Sequence, residues 1–176
     1  MTITDTAPAT ALLTDAQRRA VAPLVYGGTN ESIGAQIYLP AEGVASHLRT
    51  ARTVLGRRGC SRPVLVHALI TARVVPPPDC RRPCPAFTAR ELRLYRAVAE
   101  YSLNEDIGRA IGVSAFDVRA EIDALVAKAG ADDAAHLVGL GHAWNLLGAS
   151  CGGETSATAG PALCTTIPVR LGRPAA

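Results

Sequence analysis

Aromatic side chains are scarce: Phe, Trp and Tyr make up 4% of the 176 residues, with a single Trp and two Phe, although 48% of the chain is hydrophobic. A core built mainly from Ala, Val, Leu and Ile suits a small helical protein. Lysine is nearly missing, since Lys128 is the only one among 18 basic residues and the rest are Arg. No long apolar run occurs. The longest, residues 64–75, is interrupted by His67 and Arg73 and falls short of the roughly 20 residues a spanning helix needs. Residues 1–13 hold Asp5 and no basic stretch ahead of an apolar one, so no secretory leader is expected and a cytoplasmic location is. Five cysteines, Cys60, Cys80, Cys84, Cys151 and Cys164, are an odd number, expected as reduced thiols. Cys80 and Cys84, with Cys60 or His67 nearby, have weak zinc-ligand spacing without a second pair, so no metal is expected. Neither a glycine-rich phosphate loop nor a nucleophile-and-base arrangement is present, which argues against an enzyme and against a cofactor.

What is present is an internal duplication. Residues 13–56 and 87–130 align without a gap at a constant offset of 74. Matched pairs include Thr14 with Thr88, Asn30 with Asn104, Ile33 with Ile107, Gly34 with Gly108, Ile37 with Ile111, Val44 with Val118 and Gly56 with Gly130. Between the copies, Pro76, Pro77, Pro78, Pro83 and Pro85 break any helix and predict a stiff linker over 76–86. Residues 1–11 and the Gly, Ser, Thr and Ala-rich tail 148–176 show no periodicity and are expected to be disordered.

Each copy carries the same start and stop signals. Thr14 with Gln17 and Thr88 with Glu91 read as capping boxes that open a first helix. A short second helix follows Asn30 or Asn104. A third holds Val44, Leu48 and Leu55 in one copy and Val118, Ile122 and Leu125 in the other, with Gly56 and Gly130 as stops. A fourth helix is predicted over 61–75 and again over 134–147. Pro23 falls inside the first helix and predicts a kink there. The reading is all-α: two tandem four-helix helix-turn-helix units, 12–75 and 87–147, joined by the proline-rich linker.

The run Gly28-Thr29-Asn30-Glu31-Ser32-Ile33-Gly34-Ala35-Gln36-Ile37-Tyr38-Leu39-Pro40-Ala41-Glu42-Gly43-Val44-Ala45-Ser46-His47 carries more than a helix signal. It resembles the LuxR-type (GerE-like) DNA-binding domain, whose pattern is G-x-S/T-N-K/E-E-I-A-x-x-L-x-I/L-S-x-x-T-V-K-x-H. The resemblance implies a transcription regulator that binds double-stranded DNA, with the third helix in the major groove and the fourth as a dimer interface. The family lysine falls on Ala45 in the first copy and on Arg119 in the second, and Gly43 and Pro40 replace the family Thr and Ser. Copy two also keeps Arg90 with Glu91, and Ser114 as a helix N-cap.

Arg49, two residues beyond His47, is the leading candidate for base contact. Arg52, Arg57, Arg58 and Arg62 follow as candidates for phosphate or guanine, and Ser46, His47 and Arg119 are secondary ones. The copies differ in charge. Residues 12–75 hold eight Arg against Asp15, Glu31 and Glu42, a net of +5, whereas 87–147 hold six basic residues against nine acidic, a net of −3. Copy two is therefore expected to be mainly structural or protein-binding. The two fourth helices are expected to pair within the chain as a pseudo-dimer, through Val66, Leu69 and Ile70 against Leu137, Leu140 and Trp144, or else to make a homodimer. RNA polymerase or another regulator is a further expected partner. The alternative function is a degenerate helix-turn-helix module that binds a transcription partner without reading DNA. His136 and His142 are expected at the surface or at an interface. No sensory domain is expected ahead of Leu13, and the input signal is not visible.

Overall fold

The computed structural model describes residues 13–148, and expectations for the segments outside that range lie beyond the described residues. The described chain is all-helical: α1 (Asp15–Val21), a 3-10 segment (Ala22–Tyr26), α2 (Asn30–Ile37), α3 (Ala41–Val54), α4 (Arg62–Thr71), α5 (Ala89–Glu100), α6 (Asn104–Ile111), α7 (Val118–Ala129) and α8 (Ala134–Ala143). Both capping boxes form. The Thr14 hydroxyl accepts from the Gln17 N–H while the Thr14 N–H donates to Gln17 Oε1 at 2.9 Å, and Thr88 and Glu91 do the same at 3.2 and 2.6 Å. Each box satisfies two donors that the first turn of a helix leaves free.

Pro23 has the consequence expected of a residue without an N–H. α1 stops at Val21, and the chain tightens into the 3-10 segment that ends on Gly27 at φ +77°. At the matching place the second half keeps one unbroken helix, α5. The fourth helices are shorter than expected. α4 covers 62–71 rather than 61–75, and α8 covers 134–143 rather than 134–147. Each is followed by a turn whose second residue, Arg73 or Asn145, has positive φ. The Val74 N–H then returns to the Leu69 carbonyl at 2.9 Å, and the Leu146 N–H to the Gly141 carbonyl at 2.8 Å. Val74, Val75 and Leu147 are buried in spite of leaving the helix.

α4 and α8 form the most extensive helix pair, and the in-chain pairing of these two helices is observed. Val66, Leu69 and Ile70 of α4 and Leu137 and Val138 of α8 are buried in one continuous cluster that also takes in Val21, Leu24, Val44, Leu94, Val98 and Val118. Full burial of each such side chain is worth about 1.5–3 kcal/mol. Around this pair the packing is crossed: α8 lies on the 3-10 segment of the first half, and α4 lies on α5 of the second. Gly139 allows the first of these contacts, since a Cβ there would stand 2.5 Å from the Val25 carbonyl oxygen. Trp144, expected against α4, has its indole N–H on the Arg82 carbonyl at 3.2 Å and its ring beside Phe87. The segment between α4 and α5 contains no helix, and Pro78 within it is buried.

Candidate nucleic-acid interface

α2, its turn and α3 place the outward side chains. Thr29 caps α2 by accepting from the Ser32 N–H at 3.1 Å. Glu31 in that first turn has its carboxyl held below the usual range, chiefly by backbone hydrogen bonding and then by the Thr29 hydroxyl. The turn folds back on α2 so closely that a Cβ on Gly34 would collide with the Leu39 carbonyl oxygen. The same approach recurs in the second half, where a Cβ on Gly108 would lie 2.7 Å from the Val113 carbonyl oxygen. Glycine at both positions lets a tight turn join two helices.

α3 buries Val44, Leu48 and Ala51 and turns Ser46, Arg49, Thr50 and Thr53 to solvent. His47 is half-buried. Arg49 makes no ion pair or side-chain hydrogen bond among the described residues, and neither does Arg57 or Arg58 in the exposed turn after α3. Arg52 and Arg62 are engaged differently. The Arg52 Nε–H donates to the Cys60 carbonyl at 2.9 Å, and Arg62 spans to the α2 entry, donating to Asn30 Oδ1 at 2.6 Å and to the Gly28 carbonyl at 3.3 Å. These two guanidinium groups brace the loops around α3. Together Asn30, Arg49, Arg52, Gly59 and Arg62 line a concavity of about 430 Å³.

In the second half the corresponding face is neutralised from within. Arg119 donates through Nε to both oxygens of Asp123 at 3.0 and 3.1 Å, one helical turn along α7. Asp123 occupies the position that Arg49 holds in the first half, 74 residues earlier. Arg90 pairs with Glu121, Lys128 with Glu91 and Arg109 with Asp106, all within 2.8 Å. The Lys128 contact, with the Thr88 backbone, brings the Glu91 carboxyl down to about 2. Ser114 differs in detail from its expected role: its hydroxyl accepts from the Asp117 N–H in the turn before α7, which starts only at Val118.

A pair that sequence inspection did not single out joins the halves. His67 Nδ1 of α4 and His142 Nε2 of α8 stand 2.9 Å apart, with ring centroids 4.9 Å apart and both side chains half-buried. Burial lowers the pKa of both rings. For His67, Glu100 opposes this and Arg57 adds to it, and His142 falls to about 4 with His67 as the second cause. A donor–acceptor bond between two neutral imidazoles fits both shifts. No sequence signal anticipates it, because the two residues are 75 positions apart and carry no ligand spacing.

Cys60, Cys80 and Cys84 are free thiols, and burial raises the Cys84 thiol above its ordinary value. Among the described residues no group of three or more His, Cys, Asp or Glu converges as a metal site would require, and no helix is long and apolar enough to cross a membrane. No protein-family model, curated protein or solved structure matches the chain.

Proposed function

We propose that this protein binds double-stranded DNA through α3 and regulates transcription, as two tandem four-helix helix-turn-helix units of LuxR type joined by the proline-rich segment 76–86. The observation that carries the reading is the contrast between two equivalent positions. Arg49 projects from α3 without a partner among the described residues, whereas its counterpart Asp123 clasps Arg119. A free guanidinium on an exposed helix face is suited to a bidentate guanine contact, and Arg57 and Arg58 beyond it to phosphates. Arg52 and Arg62 support the site by fixing the loops around it, and both line the concavity. Ser46 and His47 flank the same face, and Arg119 contributes least because its charge is already satisfied.

The mutual burial of α4 and α8 favours a pseudo-dimer inside one chain over a homodimer through the fourth helices. Titration of a labelled duplex at several salt concentrations tests the function. Binding whose logarithm falls linearly with the logarithm of salt supports it, and absence of binding at low salt overturns it. One observation favours a protein-contacting role for the second half: Phe116, at the turn before α7, is 93% exposed. RNA polymerase or another regulator is the class of partner such a surface would serve.

A further inference from the structure

Tyr38 sits at the C-cap of α2 with φ +58° and ψ +42°, a left-handed conformation that bulky residues rarely adopt. Its counterpart 74 residues on is Gly112, at φ +77° and ψ +37°. The same turn is thus built with glycine in one half and with a strained tyrosine in the other. Packing does not compensate, because Tyr38 is 94% exposed and its hydroxyl makes no hydrogen bond among the described residues. The other non-glycine residues at positive φ among the described residues, Arg73 and Asn145, occupy matching turns after α4 and α8 and precede buried residues. Strain kept on a solvent-exposed aromatic ring costs the fold stability and needs a gain elsewhere.

We infer that Tyr38 is a DNA-contacting residue, held by the left-handed turn so that its hydroxyl donates to a phosphate oxygen at the lip of the major groove; this rests on the reading of α3 as the groove helix. In a helix-turn-helix the first helix crosses the backbone and the second enters the groove, which puts an exposed residue between them within reach of the sugar–phosphate strand. Tyr38 stands two residues before Pro40, the N-cap of α3. Tyrosine is among the side chains that position a protein on phosphate and sugar, and the contact carries no sequence information. A neutral phenol displaces no counterion, so it adds affinity without adding to the salt slope.

Tyr38→Gly in the full chain separates the two consequences. Removing the Cβ from a left-handed position should raise the thermal midpoint by roughly 1–4 °C, while affinity for any duplex falls about tenfold at unchanged salt slope. Tyr38→Phe should reproduce most of the affinity loss and leave the midpoint near wild type. A Tyr38→Gly protein that is more stable and binds as wild type overturns the inference, as does a midpoint that falls or a slope that changes. Failure of the underlying reading is recognised separately: wild-type protein would then not bind duplex at low salt, or Arg49→Ala would bind unchanged.

Discussion

The two halves of the molecule share helix order, capping boxes and a glycine-tight turn, yet spend their charges in opposite ways. Among the described residues, four of the six basic residues of the second half are tied to carboxylates, whereas in the first only Arg18 is, through Asp15. Exposed ion pairs of this kind add at most about 1 kcal/mol to stability. Their larger effect is to cancel the field that would attract a polyanion. The two halves therefore retain the same backbone signals while the charges on their outward faces diverge.

The deepest challenge to this comparison is to unsettle what the halves share. Leu137→Ala, in the fully buried face of α8, should cost about 2–5 kcal/mol. Because the core is continuous, hydrogen exchange should accelerate in α3 as well as in α7. Acceleration confined to α7 would make the halves independent folding units. Next in size is the asymmetry of binding: Arg49→Ala should lose about 1–3 kcal/mol of affinity for a preferred duplex, and Arg119→Ala far less. Asp123→Arg should narrow the contrast by releasing Arg119 and placing a second free guanidinium beside it, steepening the salt dependence of non-specific binding. Equal losses for the two arginine variants would abolish the distinction.

A smaller effect concerns the histidine pair where the halves meet. Both rings have folded-state pKa values below the ordinary one, so the unfolded chain takes up their protons first as the solution is acidified. Stability is complete above about 6.5, the ordinary histidine value, and falls with pH towards about 4, where folded His142 also titrates. Thermal midpoints across that interval should fall less steeply for His142→Gln than for wild type. An identical slope would show that the pair is not protonated on unfolding. The smallest effect tests what the halves have in common. Thr14→Ala and Thr88→Ala should each cost about 1 kcal/mol in denaturant unfolding. A large inequality would mean that one cap is reinforced from outside its own first turn.

Much of this arrangement is written locally. Asn30 and Asn104 each open the short helix that the alignment predicts, and both capping boxes are four-residue patterns whose hydrogen bonds never leave the first turn. The break at Pro23 follows from a missing N–H and a fixed φ. The ends of α4 and α8 were not legible, because Val74, Val75 and Leu147 prolong the apolar run after the backbone has turned out of the helix. Apolar runs report burial, and burial does not distinguish a last helical turn from a packed bend. At the proposed interface, the charge difference between the copies was visible in composition, and the exposure of Arg49 followed from its place two residues beyond His47. The bracing roles of Arg52 and Arg62 were not. A guanidinium on a long flexible stem reaches loops distant in sequence, and Cys60, Gly28 and Asn30 become its neighbours only once the helices are packed.

Mutual burial of α4 and α8 removes mass action from assembly. Two identical chains that met through such helices would separate on dilution, and every substitution would be imposed on both partners at once. Here one helix is delivered to the other by the chain itself, at an effective concentration fixed by the segment between them. Dilution leaves the pairing intact, and a change on one outward face is never copied to its counterpart. On the proposed reading, a DNA target of such a molecule is under no demand to be palindromic.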